Sequence, residues 1–193
     1  GVSGEKELTG MGVSYCATCD GAFFRNRTVA VVGGGNVALE DALFLARGCS
    51  KVYLIHRRDE LRGEKILQEQ VKETENIEIL YSHQVSAIEG SGQVTSVKLY
   101  DKKADSTTDL TVDGVFIAVG IDPNTEIYRG LAEMDESGFI CAGEDGVTSM
   151  PGLFAAGDLR TKQLRQVITA AADGANCVTS VERYLVTLHA KQD

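Results

Sequence analysis

Basic residues are in short supply in this chain. Its 193 residues carry 19 lysines and arginines against 28 aspartates and glutamates, a formal charge of −9. A phosphate backbone is repelled by such a balance unless cations cluster locally. The one tight cluster, His56-Arg57-Arg58 with Arg62 nearby, suits a single phosphate group better than a duplex, so nucleic-acid binding is set aside. Long apolar runs are missing as well. None approaches the ~20 residues that span a bilayer, and the opening Gly1-Val2-Ser3-Gly4-Glu5-Lys6-Glu7 lacks the apolar core of a signal peptide. The chain also lacks an initiator methionine, which points to a processed form or an excised piece. Its three histidines include no pair at ligand spacing. Five cysteines is an odd number, which fits a reducing, cytoplasmic setting better than a secreted disulfide framework. There are no internal repeats and no low-complexity segments.

What remains is ordinary globular material, 43% hydrophobic and 24% charged, enough for a real core. Residues 1–24 are glycine-rich with little periodicity. Residues 29–32, all apolar and mostly β-branched, fit a strand buried on both faces of a parallel sheet. Helical spacing follows over 36–47, with Gly48 as the C′ residue that ends the helix. Residues 52–55 read as the next strand, so 29–55 form a βαβ unit. A charged surface helix is expected over 64–74 and a short strand over 77–80. The runs 85–88, 94–100 and 109–112, separated by turn residues, suggest an antiparallel meander. Residues 115–119, closed by Gly120, return to a fully buried strand. From Asp122-Pro123-Asn124 onward the pattern becomes short strands, glycine-rich turns and one long C-terminal helix, which places a domain boundary near residue 121.

Two motifs carry chemistry. The first is a glycine turn, Gly33-Gly34-Gly35-Asn36-Val37-Ala38, between a strand and a helix. In a dinucleotide site the first glycine permits the tight turn and the second lets the backbone approach the pyrophosphate. A small third residue, here Ala38, lets helix and strand pack, and the helix N-terminus offers free N–H groups to the anion. Sites for NAD place a carboxylate at the end of the second strand to meet the ribose 2′-hydroxyl. This chain has His56-Arg57-Arg58 and Arg62 there, and guanidinium groups bind a 2′-phosphate that a carboxylate would repel. NADPH is therefore preferred over NADH.

The second motif is Cys16-Ala17-Thr18-Cys19-Asp20. Zinc would want a second Cys/His pair, and Cys49, Cys141 and Cys177 are isolated, so no metal is expected. Cys49 reads as a packing residue after a helix end, and Cys141 and Cys177 have no assigned chemistry. A thioredoxin-type domain would usually carry a proline facing the disulfide, but the only prolines, Pro123 and Pro151, lie far along the chain. The remaining option is a redox disulfide docked against a flavin, with Asp20 able to relay a proton, or simply to sit in an Asp-Gly turn. A nicotinamide releases a hydride, and a disulfide accepts it poorly without an intermediary, usually a flavin.

Taken together, these motifs resemble the low-molecular-weight, bacterial-type thioredoxin reductases. The carrying residues are 12–21 around the two cysteines, Gly33-Gly34-Gly35-Asn36, His56-Arg57-Arg58-Asp59, Phe154-Ala155-Ala156-Gly157-Asp158 and Leu164-Arg165-Gln166. The resemblance implies an α/β chain corresponding to the family's C-terminal two-thirds. Residues 1–120 would be a Rossmann-like NADPH-binding domain, a central parallel sheet with an antiparallel meander (1–12 being lead-in). Residues 121–193 would be the C-terminal part of an FAD-binding domain. It implies that Cys16 and Cys19 form the redox disulfide and that Asp20 serves as the acid. Gly33, Gly34, Gly35, Asn36, Val37, His56, Arg57, Arg58, Arg62 and Gly120 would hold NADPH. Asp158 would bond the flavin's ribityl chain, with Arg165, Gln166 and Val167 against the FAD. Electrons would run from NADPH through FAD to the disulfide and then to thioredoxin or a similar small dithiol protein. The full-length parent would be a homodimer. Two departures stand out. The family's first FAD stretch, with its own glycine turn, is absent, and Val37 replaces the frequent Ser or Thr, at a cost of about 1 kcal/mol. The alternative is an NADPH-binding module with an idle dithiol.

Overall fold

The β-branched runs do become the middle of a parallel sheet in the computed structural model, which describes residues 1–190. The final positions of the expected second segment, 191–193, lie outside the described residues. The chain divides into two compact units, Gly1–Gly120 and Ile121–Asp193.

The first unit contains β1 (Val13–Ser14), α1 (Ala17–Asp20), β2 (Thr28–Gly33), α2 (Asn36–Ala46), β3 (Lys51–His56), α3 (Lys65–Glu73) and β4 (Ile77–Tyr81). It continues with β5 (His83–Gly90), β6 (Val94–Asp101), β7 (Ser106–Thr111) and β8 (Gly114–Ala118). Five strands form one parallel sheet in the order β1-β8-β2-β3-β4. β2 lies between β3 and β8, pairing Val31 with both Leu54 and Phe116. One sheet face is covered by α2 and α3, whose Leu39, Ala42, Leu45 and Val71 share a core with Val31, Leu54 and Phe116. The other face is covered by the antiparallel sheet β5-β6-β7. There Val85, Ile88, Val97 and Leu99 share a core with Ala30, Ile55 and Val115. Burial on both faces is why the central strands carry no alternating polar residues.

Three local expectations are revised. Residues 1–24 are not featureless. Val13 and Ser14 add an edge strand beside β8, and Gly21–Phe24 form a 3₁₀ turn whose Phe24 stacks edge-on against Phe116, with ring centroids 5.2 Å apart. The third meander strand is displaced toward the N-terminus, to Ser106–Thr111, because it pairs with Val94–Asp101 over Ser96↔Thr111 to Asp101↔Ser106. Val112, just beyond β7, still donates its N–H to the Thr95 carbonyl at 3.2 Å and is buried in the core. Gly48 follows the cap residue Arg47, but it is not among the left-handed glycines. The helix ends through right-handed backbone, with the Gly48 N–H on the Leu45 carbonyl at 3.0 Å.

The second unit departs further from expectation. Among its described residues the anticipated short strands shrink to isolated bridges, such as Met134↔Ile140 and Val147↔Phe154. Its small core joins Ile140, Ala142 and Ala155 to Tyr128, Met134 and Leu159. The long helix is present as α4 (Val167–His189), opened by a capping box between Gln166 and Thr169. Among the described residues no helix is long and apolar enough to cross a membrane.

Candidate functional site

A cleft of about 540 Å³ runs along the C-terminal ends of the parallel strands, wholly within the first unit. Gly33, Gly34, Gly35, Asn36, Val37, His56, Arg57, Arg62 and Gly120 all line it, whereas Arg58 does not. The glycine turn shows why each position is small. A Cβ on Gly33 would run into the Ala118 carbonyl and come within 2.7 Å of the Ala38 methyl, so strand and helix pack directly. A Cβ on Gly34 would run into the His56 imidazole. On Gly35, the N-cap of α2, a Cβ would meet nothing within 4 Å. That position is open because it faces the cleft, as a glycine that admits a pyrophosphate must.

The basic loop after β3 is fastened by its backbone. Arg62 N–H donates to the Gly34 carbonyl at 2.7 Å, Ser82 N–H to the Arg58 carbonyl at 2.9 Å, and Lys102 Nζ to the Arg57 carbonyl at 3.2 Å. Asn36 holds the far end, its amide donating to Glu64 Oε1 at 3.0 Å while its Oδ1 accepts the Glu64 N–H at 2.8 Å. The Asn36 side chain is thereby committed to the loop, and its contribution to the cleft is positional. The guanidinium groups of Arg57, Arg58 and Arg62 remain exposed. His56 is buried, with Nε2 lacking a hydrogen-bond partner. Burial pushes its pKa down, contacts with the Glu60 and Gly33 backbone oppose this, and the Arg62 and Arg58 charges add to the lowering. The residues present fit a dinucleotide phosphate: an open glycine, a helix N-terminus and two exposed arginines, Arg57 and Arg62.

Sequence reasoning missed part of this cleft. Gly1, Val2 and Glu5 line it, as do His83, Gln84 and Val85 at the start of β5. The N-terminal segment is drawn there by the Ser3↔Ala87 bridge and by Ile88 N–H on the Ser3 carbonyl at 2.9 Å, contacts between distant stretches that no local pattern signals.

Cys16 and Cys19 form a disulfide at the start of α1. Cys16 is the N-cap, with extended backbone, and its Sγ accepts the Cys19 N–H at 3.2 Å. The motif hangs from the sheet through β1. Ser14, buried beside β8, donates from its hydroxyl to Asp20 Oδ2 at 2.7 Å and accepts the Cys16 N–H at 3.1 Å. Asp20 is thus tied to the disulfide turn through a serine that sequence reasoning did not single out. Among the described residues Cys49, Cys141 and Cys177 are free thiols, and burial pushes the pKa of each up. No group of three or more potential ligands among them could hold a metal ion.

In the second unit Asp158 is exposed, and its carbonyl accepts Arg165 Nε at 3.3 Å. The Arg165 guanidinium lies 4.1 Å from the centroid of the Phe139 ring. Gln166 caps α4, and Val167, its first residue, is 88% exposed. The turn before Asp158 is held by a buried cluster absent from the sequence reading. Asp173 accepts Gly157 N–H at 2.9 Å, Arg160 at 2.8 and 2.7 Å, and Lys162 Nζ at 2.7 Å. The Arg160 guanidinium foremost, then Lys162, hold the Asp173 carboxyl well below the usual range despite burial. A ribityl chain would find a free carboxylate at Asp158. Among its described residues the unit has no named strand, and so no glycine turn that joins a strand to a helix as Gly33–Val37 does.

The family model for pyridine nucleotide-disulphide oxidoreductases matches residues 1–174. A thioredoxin reductase of Listeria innocua is 46% identical over 189 residues, which cover 97% of this chain and 59% of that protein. One from Coxiella burnetii is 48% identical over 198 residues, covering 98% and 62%. The crystal structure of thioredoxin reductase from Streptococcus pyogenes superposes with a TM-score of 0.90 at 42% identity, over 97% of this chain and 61% of the other. The chain therefore spans about three fifths of the length of the relatives it matches.

Proposed function

As a chain that belongs to the pyridine nucleotide-disulphide oxidoreductase family, we propose, it is the NADPH- and disulfide-bearing part of a flavin-dependent thioredoxin-disulfide reductase. The observation that carries this reading is the presence, within Gly1–Gly120, of both the Cys16–Cys19 disulfide and a cleft with an open glycine turn and a basic rim. Arg57 and Arg62 bind the 2′-phosphate of NADPH, and Arg58 adds long-range charge. The Gly33–Val37 turn takes the pyrophosphate. When bound, FAD would supply the relay between hydride transfer from NADPH and two-electron reduction of the disulfide, with Asp158 and the 165–167 segment forming one side of its site. Reduction of the disulfide takes two electrons and two protons to give two thiols, and on this reading Asp20, hydrogen-bonded to Ser14 of the disulfide turn, moves one of those protons to the pair. The dithiol then reduces thioredoxin, or a similar small disulfide protein, by thiol–disulfide exchange. The three free thiols suit a reducing, cytoplasmic setting.

A second reading has one observation in its favour: every residue lining the cleft lies in the first unit, while this chain covers only 59% and 62% of two of its relatives. On that reading the chain binds NADPH and leaves its dithiol idle until a flavin-bearing part is supplied. One experiment separates the two. The chain is mixed with excess FAD, desalted, and its visible spectrum recorded before and after anaerobic NADPH. A retained flavin that NADPH bleaches, with two new thiols per chain, supports the reductase. A colourless chain that still binds NADPH supports the module, and a chain that binds neither sinks both.

A further inference from the structure

The middle glycine of the β2–α2 turn is small for a reason of its own. Its backbone is not among the left-handed conformations that favour glycine. The space a side chain would take at Gly34 is filled instead by the His56 ring, which an added methyl would overlap at Nδ1 and Cε1. His56 is the last residue of β3, so the end of one strand bears on the turn that leaves the next. The Gly34 carbonyl is held as well, accepting the N–H groups of Arg62 at 2.7 Å and Gly63 at 3.1 Å. The peptide between Gly34 and Gly35 is thus gripped at its Cα by a ring and at its oxygen by two donors. That unit is trans and planar, so fixing the oxygen also fixes the Gly35 N–H, which points the opposite way. Gly35 is the N-cap of α2, where the pyrophosphate belongs.

Resting on the NADPH reading of this cleft, we infer that His56 is a positioning residue and not a ligand of the 2′-phosphate. Its ring locks the Gly34–Gly35 peptide in the orientation that receives the pyrophosphate, the part that NADPH and NADH share. The imidazole is badly placed for the other role. Although the residue borders the cleft, it is only 5% exposed, and its Nε2 is shut off from solvent with no hydrogen-bond partner. A ligand oxygen could reach that nitrogen only by displacing the ring. Arg57 and Arg62, exposed on the same cleft, need no such displacement. The adjacent residues His56 and Arg57 therefore serve different parts of one ligand, the histidine through the glycine turn and the arginine directly.

The test measures dissociation constants of NADPH and NADH for the wild-type chain, His56→Ala, His56→Phe, Gly34→Ala and the double variant Gly34→Ala/His56→Ala. Without the ring the turn can shift, and forfeiting one hydrogen bond to a charged phosphate weakens binding about tenfold. His56→Ala should show that loss for both nucleotides and leave their ratio as in wild type. His56→Phe keeps a ring without nitrogens and should bind both as wild type does. A loss confined to NADPH in either variant overturns the inference, because it makes the imidazole a contact of the 2′-phosphate. Gly34→Ala should weaken both nucleotides on its own and cost nothing further beside His56→Ala, where the methyl has room. An equal cost in both backgrounds also overturns the inference. If His56→Ala does not fold, His56→Phe still separates the two roles. A wild-type chain that binds neither nucleotide would instead remove the NADPH reading, and the inference with it.

Discussion

Single residues in this molecule are decided by partners far away in sequence. Asp173 is the sharpest case. Its carboxylate meets the buried Arg160 guanidinium, the partly buried Lys162 ammonium and the Gly157 N–H. Removing one member of such a cluster leaves uncompensated buried charge, at a cost of about 3–5 kcal/mol. Asp173→Asn should therefore lower the stability of the second unit by that order in denaturant unfolding, while NADPH binding by the first unit stays intact. Because the folded pKa is depressed, the stabilisation is fully present above the unfolded carboxyl value of about 3.9 and fades as pH falls toward the folded value. A stability profile flat from neutrality to about pH 4.5 would be the expected result. Nothing near Asp173 in sequence announces this role, since its partners Gly157, Arg160 and Lys162 lie more than ten positions away. Ser14 was equally silent, a serine in a glycine-rich stretch until β1 sets it beside Asp20. The cysteines and the basic loop, by contrast, were legible because their chemistry is written in adjacent residues.

At the scale of elements, the β2–α2 turn separates packing from ligand space. Gly33→Ala would press a methyl into the Ala118 carbonyl and Ala38, and overpacking of this kind costs about 1–3 kcal/mol. Gly35→Ala meets no neighbour, so its stability should match wild type within about 0.5 kcal/mol. Its NADPH affinity should nevertheless fall, because the added methyl stands where the ligand's phosphates belong. Thermal unfolding and a binding titration on both variants check the contrast. Equal affinity in Gly35→Ala and wild type would count against the turn as the phosphate site. The same element explains why the parallel sheet could be read so well. Residues 29–32 are apolar because both sheet faces are covered, and the change to helical spacing at Asn36 marks the turn. In the second unit, residues 121–166 satisfy their backbone groups through scattered turns and bridges. Period-two and period-3.6 signals have no purchase there, so strands were expected where only bridges formed. The edge strand β1 escaped notice for a related reason: two residues are too few to show a period.

For the whole molecule, every residue that lines the cleft lies within Gly1–Gly120. Ligand at 100 times its dissociation constant adds about 2.7 kcal/mol to whatever it binds. NADPH should therefore slow hydrogen exchange across residues 1–120 and leave exchange within the core around Ile140, Ala142 and Ala155 unaltered. Protection appearing equally in both units would contradict a cleft confined to the first. Gly120, where the first unit ends, lines the cleft with a φ of +125°, so the exit of the chain from that unit is itself a wall of the cleft. In mechanical terms, a ligand filling the cleft would brace that exit, and any side chain placed there would strain the backbone even though a Cβ meets nothing within 4 Å.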